Sequence, residues 1–545
     1  MSIATHGRLT ALTLALASVS LVGHSFAGDP AVPPQAVVLE GDGVLGVGLV
    51  TSIYNLSVNN DGRSYIEVDT DNPDTTVDYA IVDSGPLLLW QEGQPLGAPT
   101  GANIDSFDAM SLSNTGSSAY VWDLGNTVGG SADDYAVYHY DSSGETLLMQ
   151  EGDAVAFAGP TAGTAWTYFA ECKINDAEEM VIIGYCDDVN IAGTSEFSVI
   201  HYDINTNTQT KLGFEGDAAS GTSETFFSFS SDPASSDIND NGDIIYQANL
   251  TGPTTMDRAL YINQTLLLRE GDASAVPGRP WSNLSGANVG LSDDGDWACL
   301  GHIDGDSATK RLLVVNGEKV AQEGDSHPAI APAVFNYMAS PVELSDDGDV
   351  LYSAQWADNG QQSGLFINNK MLIQSGVTQV NGQTVESVYG STDTLAMSDD
   401  GRYIIAEVRL PNSIDAAVMI DRGPWEIQDG AYAGINGEPR LRAWGPLTGG
   451  SSVTIDLDRA VPNGTANLIV GLSQANAPFW CTTIFPNPDI LLFGIPTDAD
   501  GRLSFNAPLP AVMPSGVDLH LQYIVDDASA CGGYSSSNAI KGTTP

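Results

Sequence analysis

The sequence predicts an all-β protein: a seven-bladed β-propeller followed by a small C-terminal β-sandwich. Three observations carry this. A turn of the type Asn/Ser-Asp-x-Gly recurs seven times, with successive spacings of 54, 62, 64, 53, 53 and 53 residues. A second element, Glu-Gly-Asp after a hydrophobic run, recurs on the same period. Between them lie short runs rich in β-branched and aromatic residues, without sustained helical periodicity. Repeats of this length mark solenoids, propellers or arrays.

One unit shows the logic. Residues 342–376 read VELSDDGDVLYSAQWADNGQQSGLFINNKMLIQSG. Two apolar runs flank the turn Ser345-Asp346-Asp347-Gly348-Asp349, and two more flank Asn368-Asn369-Lys370. That is four strands and two tight turns, the content of one blade. A lone four-stranded sheet exposes two apolar faces, which stacking in a closed ring would bury.

The turn copies are Asn60-Asp61-Gly62, Asn114-Thr115-Gly116, Asn175-Asp176-Ala177-Glu178, Asp240-Asn241-Gly242, Asp293-Asp294-Gly295, Asp346-Asp347-Gly348 and Asp399-Asp400-Gly401. Glycine and asparagine tolerate the positive φ of such turns. The third copy puts Glu178 where the others have glycine. The Glu-Gly-Asp copies begin at Glu40, Glu92, Glu151, Glu215, Glu270 and Glu323, and decay to Gln374-Ser375-Gly376. The first of these precedes the first turn, so its strand, Ala36 to Leu39, has no blade of its own. It is expected to complete the seventh sheet. The alternative is that Trp425-Glu426-Ile427 fills that outer place.

The pattern resembles a family of tandem-repeat proteins exported by bacteria, in which N-x-x-G-x-x-x-x-F/Y turns alternate with R/Q-E-G-D elements. Asn239-Asp240-Asn241-Gly242 through Tyr246 and Arg269-Glu270-Gly271-Asp272 carry the resemblance, over roughly residues 36 to 425. It implies a propeller-like fold and a secreted or surface location, and no settled activity.

From about Gly423 the turns at the old spacing stop and proline-rich connections begin. The division expected is 1–27 signal peptide, 28–425 propeller, 426–545 sandwich. About six short strands over the last stretch suggest that sandwich. This tail resembles a C-terminal module found on exported bacterial proteins. At the N-terminus, Arg8, the apolar stretch Leu9 to Val22 and Ser25-Phe26-Ala27 read as a signal peptide cleaved after Ala27. Export follows, to the periplasm, the cell surface or the medium. No later stretch is long and apolar enough to span a bilayer.

Charge is extreme: 69 acidic against 19 basic residues, a net of −50. Such a surface repels phosphate backbones and anionic lipid, so nucleic-acid and membrane-surface partners are excluded. Adaptation to a salty medium is the preferred explanation. Of the five cysteines, Cys481 and Cys531 are expected to bridge the C-terminal region, Cys172 and Cys186 are candidates to pair across one turn, and Cys299 reads as a buried thiol.

No residue is assigned a catalytic, cofactor-binding or metal-ligating role. Ca²⁺ is the one candidate ion, with Asp237 to Asp243 the nearest match to a calcium loop. Its twelfth place falls at Gln247-Ala248 without a carboxylate, and hairpin chemistry accounts for the turn without metal. The Glu-Gly-Asp elements could line one mouth of the ring, but a strand-ending turn in which Glu accepts from backbone amides is preferred. Ser292 to Trp297 resembles the Asp-box of sialidase-type propellers without its spacing, and arginine is too scarce for a carboxylate substrate. No nucleophile elbow or H-E-x-x-H occurs. His139 and His201 read as packing residues.

The functional expectation is a secreted, monomeric, non-enzymatic binding or structural protein, engaging a glycan or protein at the propeller face. The alternative is a polysaccharide-acting hydrolase or lyase with acidic residues near the channel. An enzyme should show non-repeating polar residues converging on the central opening. The long blades between Gly116 and Gly242 are the first place to look, since loops on rigid scaffolds carry function.

Overall fold

The computed structural model describes residues 33–157, 164–187, 196–357, 361–391 and 393–545; the signal peptide and its cleavage site lie outside them. The protein is all-β. Among the described residues helical structure is confined to 3₁₀ turns of three residues each. The chain divides into two compact units, 34–420 and 421–545.

Among its described residues, the first unit holds seven antiparallel sheets of four or five strands and one two-stranded ribbon. Sheet one runs through Gly48–Val58, Ser64–Thr70, Tyr79–Asp83 and Leu88–Gln91. Sheet two is Asn103–Leu112, Ser118–Gly125, Tyr135–Asp141 and Gly144–Gln150. Sheet three is Ala165–Ile174, Glu179–Asp187, Glu196–Asp203 and Thr208–Phe214. Sheet four is Phe226–Phe229 with Ser236–Ile238, then Ile244–Leu250, Arg258–Ile262 and Thr265–Arg269. Sheet five is Trp281–Leu291, Trp297–Ile303, Arg311–Val315 and Glu318–Gln322. Sheet six is Phe335–Leu344, Val350–Ala357, Gln361–Ile367 and Lys370–Gln374.

The seventh sheet is discontinuous in sequence. Ser387–Val388 and Leu395–Met397 pair with Tyr403–Leu410, which pairs with Ile414–Asp421. The outer strand is Gln35–Leu39, in register with Ala36 opposite Val418 and Leu39 opposite Ala416. The alternative closing strand, Trp425–Gln428, pairs instead with Tyr534–Thr543 in the second unit.

The second strand of each sheet is buried almost throughout, as in Ser64–Thr70, Ile244–Leu250 and Val350–Ala357, because both faces of the sheet are covered there. Sheets one and two share a core of Tyr65, Trp90, Tyr120 and Trp122. Sheets four and five share Ile245, Leu260, Val289 and Cys299. Ile405 and Ala417 of the seventh sheet pack with Val38, Ile66 and Val68, so first and last sheets are also in contact.

Cys172 and Cys186 do not bridge. They lie on adjacent strands of one hairpin, but the register sets Cys172 opposite Ile182 and Cys186 opposite Trp166. Four residues of strand, about 13 Å, separate the rungs, beyond the ~7 Å that a disulfide can span between Cα atoms.

The second unit has a five-stranded sheet ordered Trp425–Gln428, Tyr534–Thr543, Asp518–Asp526, Thr465–Gly471, Ile490–Pro496, and a three-stranded sheet of Arg440–Trp444, Ser452–Asp458 and Leu503–Pro508. One apolar core draws on both: Leu441, Ile455 and Leu503 meet Leu468, Leu521 and Ile540. Cys481, at the tip of the hairpin Gln474–Phe479/Thr482–Pro486, is bridged to Cys531, 50 residues on.

Closing a 50-residue loop restricts the unfolded chain by about 4 kcal/mol in the chain-entropy account. Replacing Cys481 and Cys531 by serine should lower the melting transition of the second unit by several degrees in scanning calorimetry. The transition of the first unit should stay in place.

Candidate functional site

The seven Asp-Gly turns are tied to one another. The N–H of Asn60 donates to Asn114 Oδ1 (2.7 Å). That of Asn114 donates to Asp176 Oδ1 (2.6 Å), that of Asp176 to Asp240 Oδ1 (2.8 Å), that of Asp240 to Asp293 Oδ1 (2.7 Å) and that of Asp293 to Asp346 Oδ1 (2.9 Å). The N–H of Asp346 then donates to the Asp399 carbonyl (2.7 Å), and that of Asp400 to Asn60 Oδ1 (2.9 Å). The series returns to its first member. A second series runs beside it, with Asn59 Nδ2 donating to the Ser113 carbonyl, Asn175 to Asn239 and Asn239 to Ser292.

These contacts fix what the turn residues do. At Asp237 to Asp243, Asp237 Oδ2 accepts from the Leu291 N–H, Asn239 Oδ1 from Asp243, Asp240 Oδ1 from Asp176 and Asp243 Oδ1 from Asn263. One oxygen of each of these side chains is engaged by a protein donor. Burial foremost pushes Asp346 up to about 7 and raises Asp399 well above the carboxylate range. Glycine suits the turn because its φ is positive, as at Gly62 (76°). Glu178 takes the same left-handed conformation (63°) against its own steric preference. Its carboxylate lies 2.7 Å from His139 Nε2, and Glu179 lies 3.4 Å from His201 Nε2. The two histidines therefore brace the one turn that lacks glycine.

The Glu-Gly-Asp elements are corners between sheets. The N–H of Gly41 donates to the Val50 carbonyl and that of Val50 to Asp42; Gly271 with Trp281, and Gly324 with Phe335, repeat the pattern. The glutamates accept from backbone amides, Glu323 from Arg311 (3.1 Å) and Glu215 from Phe197 (3.3 Å). The preceding Gln or Arg holds a loop carbonyl: Gln91 that of Val77, Gln150 that of Asp133, Arg269 that of Met256, Gln322 that of Thr309. Each residue of the R/Q-E-G-D pattern thus has a structural bond.

Inside the ring of turns is a cavity of about 130 Å³ to which the inner part of every sheet contributes. Two positions before each turn, the repeats place Ser57, Ser111, Lys173, Asp237, Gly290, Glu343 and Ala396. This column does not repeat, and its charged members come together. Lys173 Nζ lies 3.5 Å from Asp237 Oδ1. Burial works to lower the Lys173 pKa, but Asp237, Glu343, Glu171 and Asp393 outweigh it and hold the ammonium charged. Burial pushes Glu343 up to about 8 and Asp393 to about 6, against the pull of Lys173. Glu171 is also raised, and accepts from Ser236 Oγ (2.9 Å).

Sequence reasoning did not select Lys173, Glu171, Glu343 or Asp393. Aligning the repeats on their turns would have shown that this column carries charge in sheets three, four and six and small residues in the others. The chemistry available is electrostatic: one ammonium among four carboxyl groups, of which Glu343 is pushed by burial up to about 8. Among the described residues no cluster of three or more His, Cys, Asp or Glu is arranged to hold a metal.

A family of unknown function, DUF7453, matches residues 35–266. None of the curated proteins matches the sequence. Among solved structures, the extracellular domain of a hybrid two-component system from B. thetaiotaomicron is 10% identical with a TM-score of 0.32; the match covers 94% of this chain and 57% of that one. This chain therefore spans little more than half of that relative. An oligogalacturonate lyase solved with manganese is 12% identical with a TM-score of 0.34, covering 69% of this chain and 98% of that one. A Trypanosoma rangeli sialidase solved with an inhibitor is 11% identical with a TM-score of 0.30, covering 94% and 95%.

Lys173→Met removes the cation and leaves its carboxylates facing one another. Lys173 and Asp237 are each about a fifth exposed, so the cost should fall below the ~3–5 kcal/mol of breaking a fully buried pair. The loss should appear in urea unfolding at pH 8 and shrink at pH 5, where the carboxyls can hold protons. Glu343→Gln should do the reverse. The folded-state pKa of Glu343 is raised, so its stabilising contribution is complete below about 4.5 and lost as pH rises through about 8. The glutamine variant should therefore gain on the wild type across that window and hold its lead above it.

Proposed function

We propose that the chain is an exported, monomeric, non-enzymatic binding or structural protein, built as a closed seven-bladed β-propeller with a C-terminal β-sandwich. The returning series of turn-to-turn bonds supports the propeller, as does the completion of the last sheet by the first strand. The core shared by the two sheets of the second unit supports the sandwich. The repeat motifs support membership of the exported tandem-repeat family. The disulfide is compatible with export, and no helix among the described residues is long and apolar enough to cross a membrane.

The size of the cavity carries the non-enzymatic reading. Sites that enclose a small organic ligand occupy about 300–1,000 Å³. At about 130 Å³ the cavity takes a few waters or an ion, not two sugar rings and the bond between them. The repeated acids are engaged in turns and corners, so binding falls to the outer loops and faces, with a glycan or a protein as partner.

A second reading, a hydrolase or lyase acting on polysaccharide, draws on the unrepeated charged column of sheets three, four and six. Screening the full chain on a glycan array and against a polysaccharide panel separates the two. The proposal expects saturable binding without turnover. Product release that is abolished by Glu343→Gln or Lys173→Met, in variants that remain folded, would replace it with the enzymatic reading.

A further inference from the structure

The hairpin Gln474–Phe479/Thr482–Pro486 of the second unit has an anchored strand and a displayed one. Thr482 Oγ1 donates to the Gly430 carbonyl (2.7 Å) and accepts from Ser536 Oγ (2.7 Å). Gln522 Nε2 donates to the Thr483 carbonyl (3.0 Å), and the Phe485 N–H donates to Gln522 Oε1 (3.0 Å). On the other strand, Gln474 to Pro478 are exposed.

Two residues, Trp480 and Cys481, make the turn. A connection of this length favours asparagine, aspartate or glycine where φ is positive. Here the residue at positive φ is Trp480 (50°), and it is 69% exposed. A bulky side chain in that region works against its own steric preference, and such departures cluster at ligand sites. The fold holds it there. Cys481 is bridged to Cys531, and the next residue, Gly532, lies under the indole: a Cβ added to it would come 2.6 Å from Trp480 Cδ2. One side of the ring is thus backed by peptide backbone. Phe479, beside it, packs on Tyr534 with centroids 5.8 Å apart. The surroundings carry no charge. Residues 471–488 and 528–540, the two segments that the disulfide joins, contain no Asp, Glu, Lys or Arg in a chain of net charge −50. Depletion of charge around an aromatic anchor is the compositional mark of a contact surface.

We propose that Trp480 is the stacking platform of a glycan site, and that the glycan is uncharged. This rests on the chain being a binding protein, and gives that binding a place and a ligand class. A sugar ring offers a flat C–H face to the indole and neutral hydroxyls to the exposed amides of Gln474 and Asn476 on the same hairpin. An acidic polysaccharide finds no cation in either segment and meets the repulsive field of a strongly negative chain. Because the ring is already fixed by the disulfide and by Gly532, little ordering remains to be done on binding.

The test is affinity electrophoresis of the full chain in gels containing hydroxyethylcellulose, mixed-linkage β-glucan, xylan or galactomannan, with alginate and polygalacturonate as acidic counterparts. Retardation by at least one neutral polymer and by neither acidic one is expected. Trp480→Ala should weaken it about tenfold or more, the scale of losing a central aromatic anchor. Trp480→Asn, which suits the turn, should do the same while the melting transition of the second unit stays in place. Gly532→Ala, which displaces the ring from its support, should also weaken it. Leu45→Ala, at a residue 90% exposed in the first unit, should change nothing. Retardation by a neutral polymer that survives Trp480→Asn puts the glycan site elsewhere; it overturns this proposal and leaves the binding-protein reading standing. Retardation by acidic polymers alone, or by none, overturns it too, and leaves that reading with protein partners. Release of reducing ends from any of the polymers overturns the binding-protein reading itself.

Discussion

A bond from the backbone N–H of one turn to an oxygen of the next organises the first unit. It is short, charge-assisted where the acceptor is aspartate, and made at the same place in successive sheets. Each such bond orients two sheets at once. The inner strands are thereby held at fixed separation, and their side chains converge on one small cavity. The last bonds, from Asp346 to the Asp399 carbonyl and from Asp400 to Asn60, bring the series back to its beginning. Pairing of Gln35–Leu39 with Ile414–Asp421 does the same at the outer edge.

Acidic residues serve three separate ends in this frame. In the turns they accept backbone N–H groups. In the corners glutamates accept backbone amides. In the cavity they surround Lys173. A net charge of −50 would be costly if all of it were ionised and close together. Burial raises the pKa of a subset, so that Glu343, Glu67 and Glu407, each pushed up to about 8, stay largely neutral at pH 7. The folded protein thus carries less charge than its composition implies.

Much of the architecture was legible because repetition turns weak local signals into a strong one. Asp-Gly and Asn-Gly turns, and the glutamates after hydrophobic runs, could be read as joints, and their bonds have that character. The outlying strand Ala36 to Leu39 was legible from its lack of a partner in sequence. Pairing of Cys172 with Cys186 was misread because both flank one turn; a ladder register, invisible in spacing alone, sets them rungs apart. The charged cavity was missed for the opposite reason. Lys173 and Glu343 are single departures from a repeat, so a search for what recurs passes over them. Likewise the pairing of His139 and His201 with Glu178 and Glu179 required knowing which neighbour lies beside the turn that lacks glycine.

The central claim is that first and last strands lock one sheet and so close the series. Hydrogen exchange read by mass spectrometry on the full chain tests it most directly. Amides of 35–39 should be protected as strongly as those of 414–420, and the two segments should open together as denaturant is added. If 35–39 exchanges within seconds while 403–420 stays protected, the strand is not part of that sheet, and the closed arrangement is contradicted.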